Sequence, residues 1–354
     1  MSNYSQIIYE NNQFAISIID NAIVFKLNVN NNLIISSWHN GGYQEDMDNV
    51  VNQSLIPSDY PLIAKFSNEK FQIKRFKELG LIPEKSTGLI TSAAMDNYAL
   101  SIKSYEDLAV TTIITAGADK NAVKAGDKAS FYEYDNKYQP IVGTINIITF
   151  IDANLEPGAL ATALITITEA KTSVLEDLKI ESQYSTHVAT GTGTDGVCVI
   201  SNKSSNNHLE NAGKHSKLGE LIANSVRDAT SEALFKQTFM CNEYQRSVLS
   251  RLSRFNITFD DFYNNSRIES KIKYASLFYD FNKDEYHISW ISCVINLIDE
   301  YQIGLLDLND IAEPIVMMVN NFLNLNKKEM EFKSITQIID FIINSTNVFL
   351  EKNN

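Results

Sequence analysis

Four short motifs in the middle of the chain combine ionisable side chains with glycine and threonine. They are GTINIITFID (143–152), TEAKT (168–172), TGTGTD (190–195) and AGKHSKLGELI (212–222). Glycine lets backbone approach a ligand closely, and ionisable groups supply acids, bases or electrostatic contacts. Because a hydrophobic core alone would not require this combination four times, the motifs predict one site that binds a ligand and moves protons.

The TGTGTD loop offers both donors and an acid. Gly191 and Gly193 permit unusual backbone dihedrals, so successive N–H groups can form a concave anion-binding surface. Asp195, at the start of a predicted strand, is a candidate general base or a group that orients one. The alternative is a threonine-rich turn that only caps a strand. The loop lacks the Gly-Lys-Thr ending of a phosphate-binding P-loop and does not match a dinucleotide fingerprint.

The TEAKT motif places a lysine on an apolar helix face. At about 100° per residue, Lys171 falls between Ile167 and Val174, whereas Glu169 points to the other side. A buried lysine is costly unless it is paired, and buried lysines serve as bases or charge clamps. Alternatively, Lys171 reaches the helix edge or pairs with a structural acid.

The AGKHSKLGELI motif places Lys214, His215 and Lys217 at the start of a helix. Cations there oppose the helix dipole, so an anionic or polar ligand would stabilise them. His215 is therefore the leading acid–base candidate, and an ordinary surface helix start is the alternative. No metal site is predicted, because the five histidines show no HxH or HxxxH pairing.

Alternating and helical hydrophobic patterns indicate the elements that carry these motifs. Strands are predicted over 14–19, 22–27, 33–37, 88–94, 99–103, 109–115, 143–152 and 196–200, and helices over 44–54 and 66–79, from Glu156 through 178 and from 216 onwards. After 237 there is one glycine, Gly304, and one proline, Pro314. Helices are predicted there over 239–253, 259–280, 288–301, 307–324 and 334–349. The fold class is therefore α+β, with mixed α/β layers followed by an all-α extension, and the predicted boundary separates 1–236 from 237–354.

The composition excludes several classes of partner. With 354 residues, 44% of them hydrophobic, the chain can bury a substantial core. A net charge of -13 argues against nucleic acid and against an anionic membrane surface. No apolar run reaches the roughly 20 residues of a membrane span, and no secretory signal is visible. Three widely spaced cysteines favour a cytoplasmic location, and a homo-oligomer is compatible with the sequence.

In order and spacing, the motifs resemble those of the adenosylcobinamide amidohydrolases of corrinoid salvage. The resemblance covers about residues 33–235 and is carried by SSWHNGG (36–42), GLITSAA (88–94), TAGADKNAVKAGD (115–127) and the four motifs above. It implies a catalytic domain over 1–236 that cleaves the amide joining aminopropanol to the corrin ring of adenosylcobinamide. The products are adenosylcobyric acid and 1-amino-2-propanol. No separate cofactor is expected, because this small-molecule corrinoid substrate itself carries cobalt.

Amide hydrolysis requires a nucleophile, an oxyanion stabiliser and a proton donor for the leaving amine. We expect Asp195 or Glu169 to activate water, loop amides with Lys171 or Lys214 to stabilise the oxyanion, and His215 to protonate the nitrogen. In a variant mechanism, Thr192 or Thr194 is the nucleophile. The residues expected to recognise the ring's carboxamides are Asn40, Asn146, Thr190, Thr192, Thr194 and Lys214.

Two other functions are compatible with the sequence. One is a non-catalytic corrinoid-binding or regulatory protein, in which the helical region 237–354 contacts a partner. The other is a phosphoryl-transfer or nucleotide enzyme that uses the glycine-threonine loop. Release of aminopropanol distinguishes the first from an enzyme, and nucleotide binding tests the second.

Overall fold

The computed structural model describes residues 5–130, 132, 144–328 and 330–353. Its contacts divide the chain into two compact units, residues 1–241 and residues 242–354. Gly143, the first residue of one predicted strand, lies outside the described residues. Among the described residues, no helix is both long and apolar enough to cross a membrane.

The N-terminal unit contains the strands and four α-helices in the part that the structure describes. Its strands are β1 (Ser5–Glu10), β2 (Phe14–Ile19), β3 (Ala22–Leu27), β4 (Asn31–Ile35), β5 (Gly42–Glu45), β6 (Asn49–Ser54), β7 (Ser86–Thr91), β8 (Ala99–Tyr105), β9 (Leu108–Ala116), β10 (Ala122–Val123), β11 (Ile145–Ile151), β12 (Asn154–Leu155), β13 (Gly191–Thr192), β14 (Gly196–Asn202) and β15 (His208–Leu209). Its helices are α1 (Tyr60–Phe66), α2 (Asn68–Glu78), α3 (Pro157–Asp177) and α4 (Lys217–Thr238).

Two large sheets stack between two layers of helices. The first sheet has the order β1-β2-β3-β6-β7, and the second has the order β5-β4-β14-β11-β9-β8. Phe14, Phe25 and Phe150 belong to the apolar core shared by the two sheets. On its other face the first sheet packs against α2, and the second sheet packs against α3 and α4. The predicted fold class, mixed α/β layers with a helical C-terminal region, is confirmed.

Strand alternation decides which face of the second sheet receives each side chain. In β11, Ile145 and Ile147 lie in the core beneath α3 and α4, whereas Ile148 and Phe150 face the first sheet. Strands β11 and β14 are parallel, with Asn146 opposite Gly196. The TGTGTD loop therefore leads into β14 at the end of the sheet where β11 also begins, close to α3.

The helix predicted over 44–54 is wrong, because these residues form β5 and β6. Strand β6 pairs with β3 on one side and with β7 on the other. Val50 enters the core between the sheets, and Val51 faces α2. Asn49 and Asn52 are buried and their side chains donate hydrogen bonds to Ser86 and Thr115. These contacts with distant parts of the chain outweigh the weak local preference of this polar, asparagine-rich segment for a helix.

The C-terminal unit is helical in the part that the structure describes. Its helices are α5 (Val248–Leu252), α6 (Phe259–Asn264), α7 (Lys271–Lys283), α8 (Glu285–Gln302), α9 (Leu308–Phe322) and α10 (Ile335–Lys352). Two predicted helices are too long: only α5 falls within 239–253, and 259–280 is split into α6 and α7. Ser247 and Ser270 explain the new starts, because each side chain accepts a backbone N–H and caps a helix.

Candidate active site

A buried ion pair joins α3 to the TGTGTD loop. The Lys171 ammonium contacts Asp195 Oδ2, and the side chains of the two residues are 7% and 15% exposed. Lys171 lies on the α3 face that includes Ile167 and Val174, as the helical spacing predicts. Its long apolar stem covers this face, and the charge is compensated by Asp195.

The Asp195 carboxylate also accepts hydrogen bonds from the loop and from β11. Thr192 Oγ donates to Oδ1 at 2.5 Å, and the Thr192 N–H lies 3.1 and 3.2 Å from the two carboxylate oxygens. The N–H of Ile145 donates to Oδ1 at 3.2 Å. With Lys171, these donors occupy both oxygens. The arrangement suits a carboxylate that orients and deprotonates Thr192 better than one that binds a water molecule directly.

Position 191 requires a glycine, because the Lys171–Asp195 pair lies very close to the backbone there. A Cβ atom built on Gly191 would lie 2.5 Å from Asp195 Oδ2 and 2.6 Å from Lys171 Nζ. Both distances are far below van der Waals contact, and both partners are held in a buried site. The glycine therefore allows the peptide bond preceding Thr192 to lie against the charged pair.

The outer part of the loop is exposed and bonds to two neighbouring segments of the chain. Gly193 and Thr194 are exposed, whereas Thr192 is 8% exposed. Thr194 Oγ donates to Thr144 Oγ at 2.9 Å, and Asn121 Nδ2 lies 3.5 Å from Thr194 Oγ.

Asn121 also connects the loop to an exposed tyrosine. The backbone oxygen of Asn121 accepts the N–H of Gly193 at 3.2 Å, and its side-chain oxygen accepts Tyr184 OH, also at 3.2 Å. Asn121 lies within the TAGADKNAVKAGD motif, which marked its segment but not its role. No motif marked Tyr184.

Thr190, the first residue of the loop, bonds to two neighbouring segments. Its hydroxyl accepts the N–H of Ala125 at 2.8 Å, and its backbone oxygen accepts Thr172 Oγ at 2.8 Å. These bonds tie the loop to the preceding segment and to α3. The structure therefore places Thr190 beside the ion pair in a supporting position.

The carboxamides of Asn40 and Asn146 bond within the chain. Asn146 is 1% exposed, and its Nδ2 donates to Asn52 Oδ1 at 2.8 Å and to Ile90 O at 3.0 Å. Asn40 Nδ2 donates to Pro83 O at 3.1 Å and to Ser86 O at 2.9 Å. Both N–H groups of each side chain thus connect elements of the fold, which is a different role from the predicted recognition of substrate.

The turn that carries Lys214 and His215 contacts a different face of α3. Thr166 Oγ donates to the Ala212 backbone oxygen at 2.9 Å, and Lys214 forms an exposed ion pair with Glu169. Glu169 precedes Lys171 by two positions, a rotation of about 200° around the helix. The structure therefore brings Glu169 to Lys214, and brings Lys171 to Asp195, on opposite sides of α3.

The start of α4 is stabilised by groups of the chain itself. His215 is exposed in the turn, and Ser216 accepts the N–H of Gly219 at 3.0 Å as the N-cap. Lys217 pairs with Glu220 at 2.7 Å, so this lysine and Lys214 both have acidic partners without an added ligand. A Cβ on Gly219 would lie 2.1 Å from Gly213 O, so this glycine serves close packing of the turn on the helix.

Within the described ranges, no group of three or more His, Cys, Asp or Glu side chains is arranged to hold a metal ion. Of the predicted site residues, the structure thus groups Lys171, Thr192, Thr194 and Asp195, with Thr190 at their edge. It places Glu169 and Lys214 together elsewhere.

Comparisons with known proteins identify relatives of the chain. The chain is 38% identical over 190 residues to an uncharacterized protein of Methanocaldococcus jannaschii, covering 50% of this chain and 74% of that protein. Among solved structures it aligns with the L-aminopeptidase D-Ala-esterase/amidase of Ochrobactrum anthropi, with 11% identity and a TM-score of 0.34, over 71% of this chain and 91% of that one. A protein of Pyrococcus horikoshii OT3 aligns with 9% identity and a TM-score of 0.31, over 66% and 83% of the two chains. TM-scores this low carry no functional argument.

The match to a protein family is more specific. It spans residues 8–242, a range that contains the buried Lys171–Asp195 pair and all the motifs of the sequence resemblance. The matching sequence model is that of adenosylcobinamide amidohydrolase, and the chain belongs to this family.

Proposed function

We propose that the protein hydrolyses the amide that links aminopropanol to the corrin ring of adenosylcobinamide. The products are adenosylcobyric acid and 1-amino-2-propanol. One observation carries the proposal: inside the family-matched region, the Asp195 carboxylate connects a buried Lys171 ammonium with the Thr192 hydroxyl. A threonine hydroxyl held against a carboxylate can attack a carbonyl carbon.

Thr192 is the proposed nucleophile, and Asp195 accepts its proton across the 2.5 Å hydrogen bond. The Lys171 ammonium holds the carboxylate in place and compensates its charge. The N–H of Thr194 lies 3.5 Å from Thr192 Oγ. This spacing suits the stabilisation of an oxyanion formed on a carbonyl that Thr192 attacks.

The reaction then proceeds in two balanced steps. In the first, the Thr192 oxygen bonds to the carbonyl carbon, the carbon–nitrogen bond breaks, and aminopropanol leaves after its nitrogen gains a proton from a general acid. In the second, water attacks the Thr192 ester and its hydroxyl stays on the corrin propionate. The other proton of water restores the general acid, and Thr192 recovers its own proton from Asp195. The cobalt belongs to the substrate and takes no part in either step.

The test is incubation of the purified chain with adenosylcobinamide, followed by quantification of both products. Thr192→Ala should lower kcat by about 10⁴-fold or more, because it removes the nucleophile. Thr192→Ser keeps the hydroxyl and should retain measurable turnover. A brief acid quench should show wild-type protein heavier by one adenosylcobyryl group on the peptide that contains Thr192.

A matched control is Thr168→Ala, because Thr168 lies on the exposed side of α3, where its hydroxyl donates to Leu164 O. This variant should keep the wild-type kcat. Saturable binding of adenosylcobinamide without release of aminopropanol would reject hydrolysis and favour the non-catalytic corrinoid-binding alternative. Full activity of Thr192→Ala would reject the assignment of the nucleophile.

A further inference from the structure

A small hairpin over residues 181–188 lies next to the TGTGTD loop. Glu181 pairs with Val188, and the N–H of Ser182 donates to His187 O at 2.9 Å. A hydrogen bond links the hairpin to the TAGADKNAVKAGD segment: Ser182 Oγ donates to Asp127 Oδ2 at 2.6 Å.

The Asp127 carboxylate that accepts this hydrogen bond is ionised at neutral pH. Its burial raises the pKa, but hydrogen bonds from Ser182, Ser185 and the Lys124 N–H outweigh that effect and lower the pKa below its usual value. The carboxylate is therefore a strong acceptor for the Ser182 hydroxyl of the hairpin.

The hairpin carries Tyr184, whose hydroxyl ends a line of polar contacts that begins at the buried ion pair. Thr192 Oγ bonds to Asp195, and the Thr194 N–H lies 3.5 Å from that hydroxyl. Asn121 Nδ2 lies 3.5 Å from Thr194 Oγ, and Tyr184 OH donates to Asn121 Oδ1 at 3.2 Å.

Along this line Thr192 is buried at 8% exposure, whereas Thr194 and Tyr184, at 39%, are exposed, with Asn121 buried between them. The fully buried Asn121 carboxamide packs against Gly193, where a Cβ would lie 3.1 Å from its oxygen. The exposed residues Gly193 and Thr194 follow Thr192 in the loop, and both contact Asn121, which accepts the Tyr184 hydroxyl. A substrate that reaches Thr192 over these exposed residues would therefore come near the tyrosine hydroxyl.

We propose that Tyr184 is a further catalytic residue, which donates the proton that the leaving nitrogen needs. This inference rests on the proposed function. As the carbon–nitrogen bond breaks, the Tyr184 O–H proton moves to nitrogen, and the released group is the neutral amine. When water attacks the Thr192 ester, one water proton returns to the Tyr184 oxygen, so the cycle closes without another reactant.

The hydroxyl of Tyr184 suits this role better than the imidazole of His215. The turn that holds His215 contacts Thr166 and Glu169, on the side of α3 opposite to Lys171. Tyr184 is joined to the loop that carries the nucleophile through a single side chain, that of Asn121.

The experiment compares Tyr184→Phe with wild type on two substrates. One is adenosylcobinamide, and the other is a p-nitrophenyl ester of the same corrin propionate, whose leaving group departs as a stable anion without a proton. Tyr184→Phe should lower kcat on the amide by about 10²–10⁴-fold, the usual contribution of a general acid. On the ester the loss should stay below about tenfold, because no proton donor is needed.

The matched control is Tyr43→Phe, which removes a tyrosine hydroxyl of similar exposure, 42%, that donates to Glu45 on β5. It should leave both rates unchanged. Equal losses on the amide and the ester would show a structural role for Tyr184 and overturn the inference, as would an unchanged rate on the amide. If wild-type protein released no aminopropanol, the proposed function itself would fail, and this inference with it.

Discussion

Removal of the Lys171 ammonium offers the sharpest test of the buried pair. Lys171→Met keeps the apolar stem on the α3 face and leaves Asp195 without its cation. Loss of one partner from a buried pair costs about 3–5 kcal/mol. Asp195 keeps the donors of Thr192 and Ile145 and has a 15% exposed side chain. We therefore expect the lower end of that range, about 3 kcal/mol.

The double variant Lys171→Met/Asp195→Asn removes both charges. Because no uncompensated charge remains, the two substitutions should cost about 1–2 kcal/mol less than the sum of the single changes, a coupling typical of contacting residues. Native-state hydrogen exchange of amides in β11 and β14 measures the free energy of opening at the site in the full-length chain.

The exposed pair Lys214–Glu169 provides the matched control, with side chains that are 60% and 50% exposed. Lys214→Met should cost less than about 1 kcal/mol. The reasoning would be refuted if Lys171→Met cost no more than Lys214→Met. It would also be refuted if the double variant were as unstable as the sum of its single changes, since the two charges would then not be coupled.

Three further predictions concern separate parts of the chain. Gly191→Ala would place a Cβ 2.5 Å from Asp195 Oδ2, so the displaced carboxylate should lower kcat by about 10²-fold, and unchanged turnover would contradict the close approach. His215→Ala alters an exposed turn residue and should change the activation free energy by less than about 0.5 kcal/mol in the same assay, whereas a large loss of kcat would restore the acid role inferred from sequence. In the C-terminal unit, burial lowers the pKa of His287, against a smaller opposing effect of Asp284. The stabilisation from neutral His287 should be complete above the unfolded pKa of about 6.5 and be lost as the pH falls from there through the lowered folded pKa. Hydrogen exchange of α8 at several pH values measures this slope, and His287→Leu should flatten it.

The local patterns of the sequence predicted several elements and one feature of the site. The apolar stripe of α3 runs from Ala159 to Leu175, so both the helix and the position of Lys171 on its apolar face were predicted. The strands of the hairpin β2–β3 were also correctly predicted around Asp20, which adopts the left-handed conformation that a tight turn requires. Residues 44–54 were not, because β6 gains its stability from β3, β7 and buried asparagine contacts that are distant in the chain.

The partners within the site were only partly predictable. Asp195 and Thr192 were both candidates, but nothing in their spacing showed that Asp195 bonds to both Thr192 and the buried Lys171. Asn121 and Tyr184 lie 63 positions apart and belong to no common motif. The glycine and lysine signals of the AGKHSKLGELI segment have a structural origin, since Gly219 allows close packing and Lys214 and Lys217 bond to glutamates.

By itself, the sequence determined the strand β11, the amphipathic face of α3, the helical character of the C-terminal unit and the membership of a family. Each depends on periodicity or on ordered motifs that are read along the chain. Only the tertiary structure decided that Lys171 pairs with Asp195, which also binds Thr192, on one side of α3, while Lys214 pairs with Glu169 on the other. The physical reason is that a helix presents residues two positions apart to nearly opposite sides, and the packing of the sheet determines which side becomes buried.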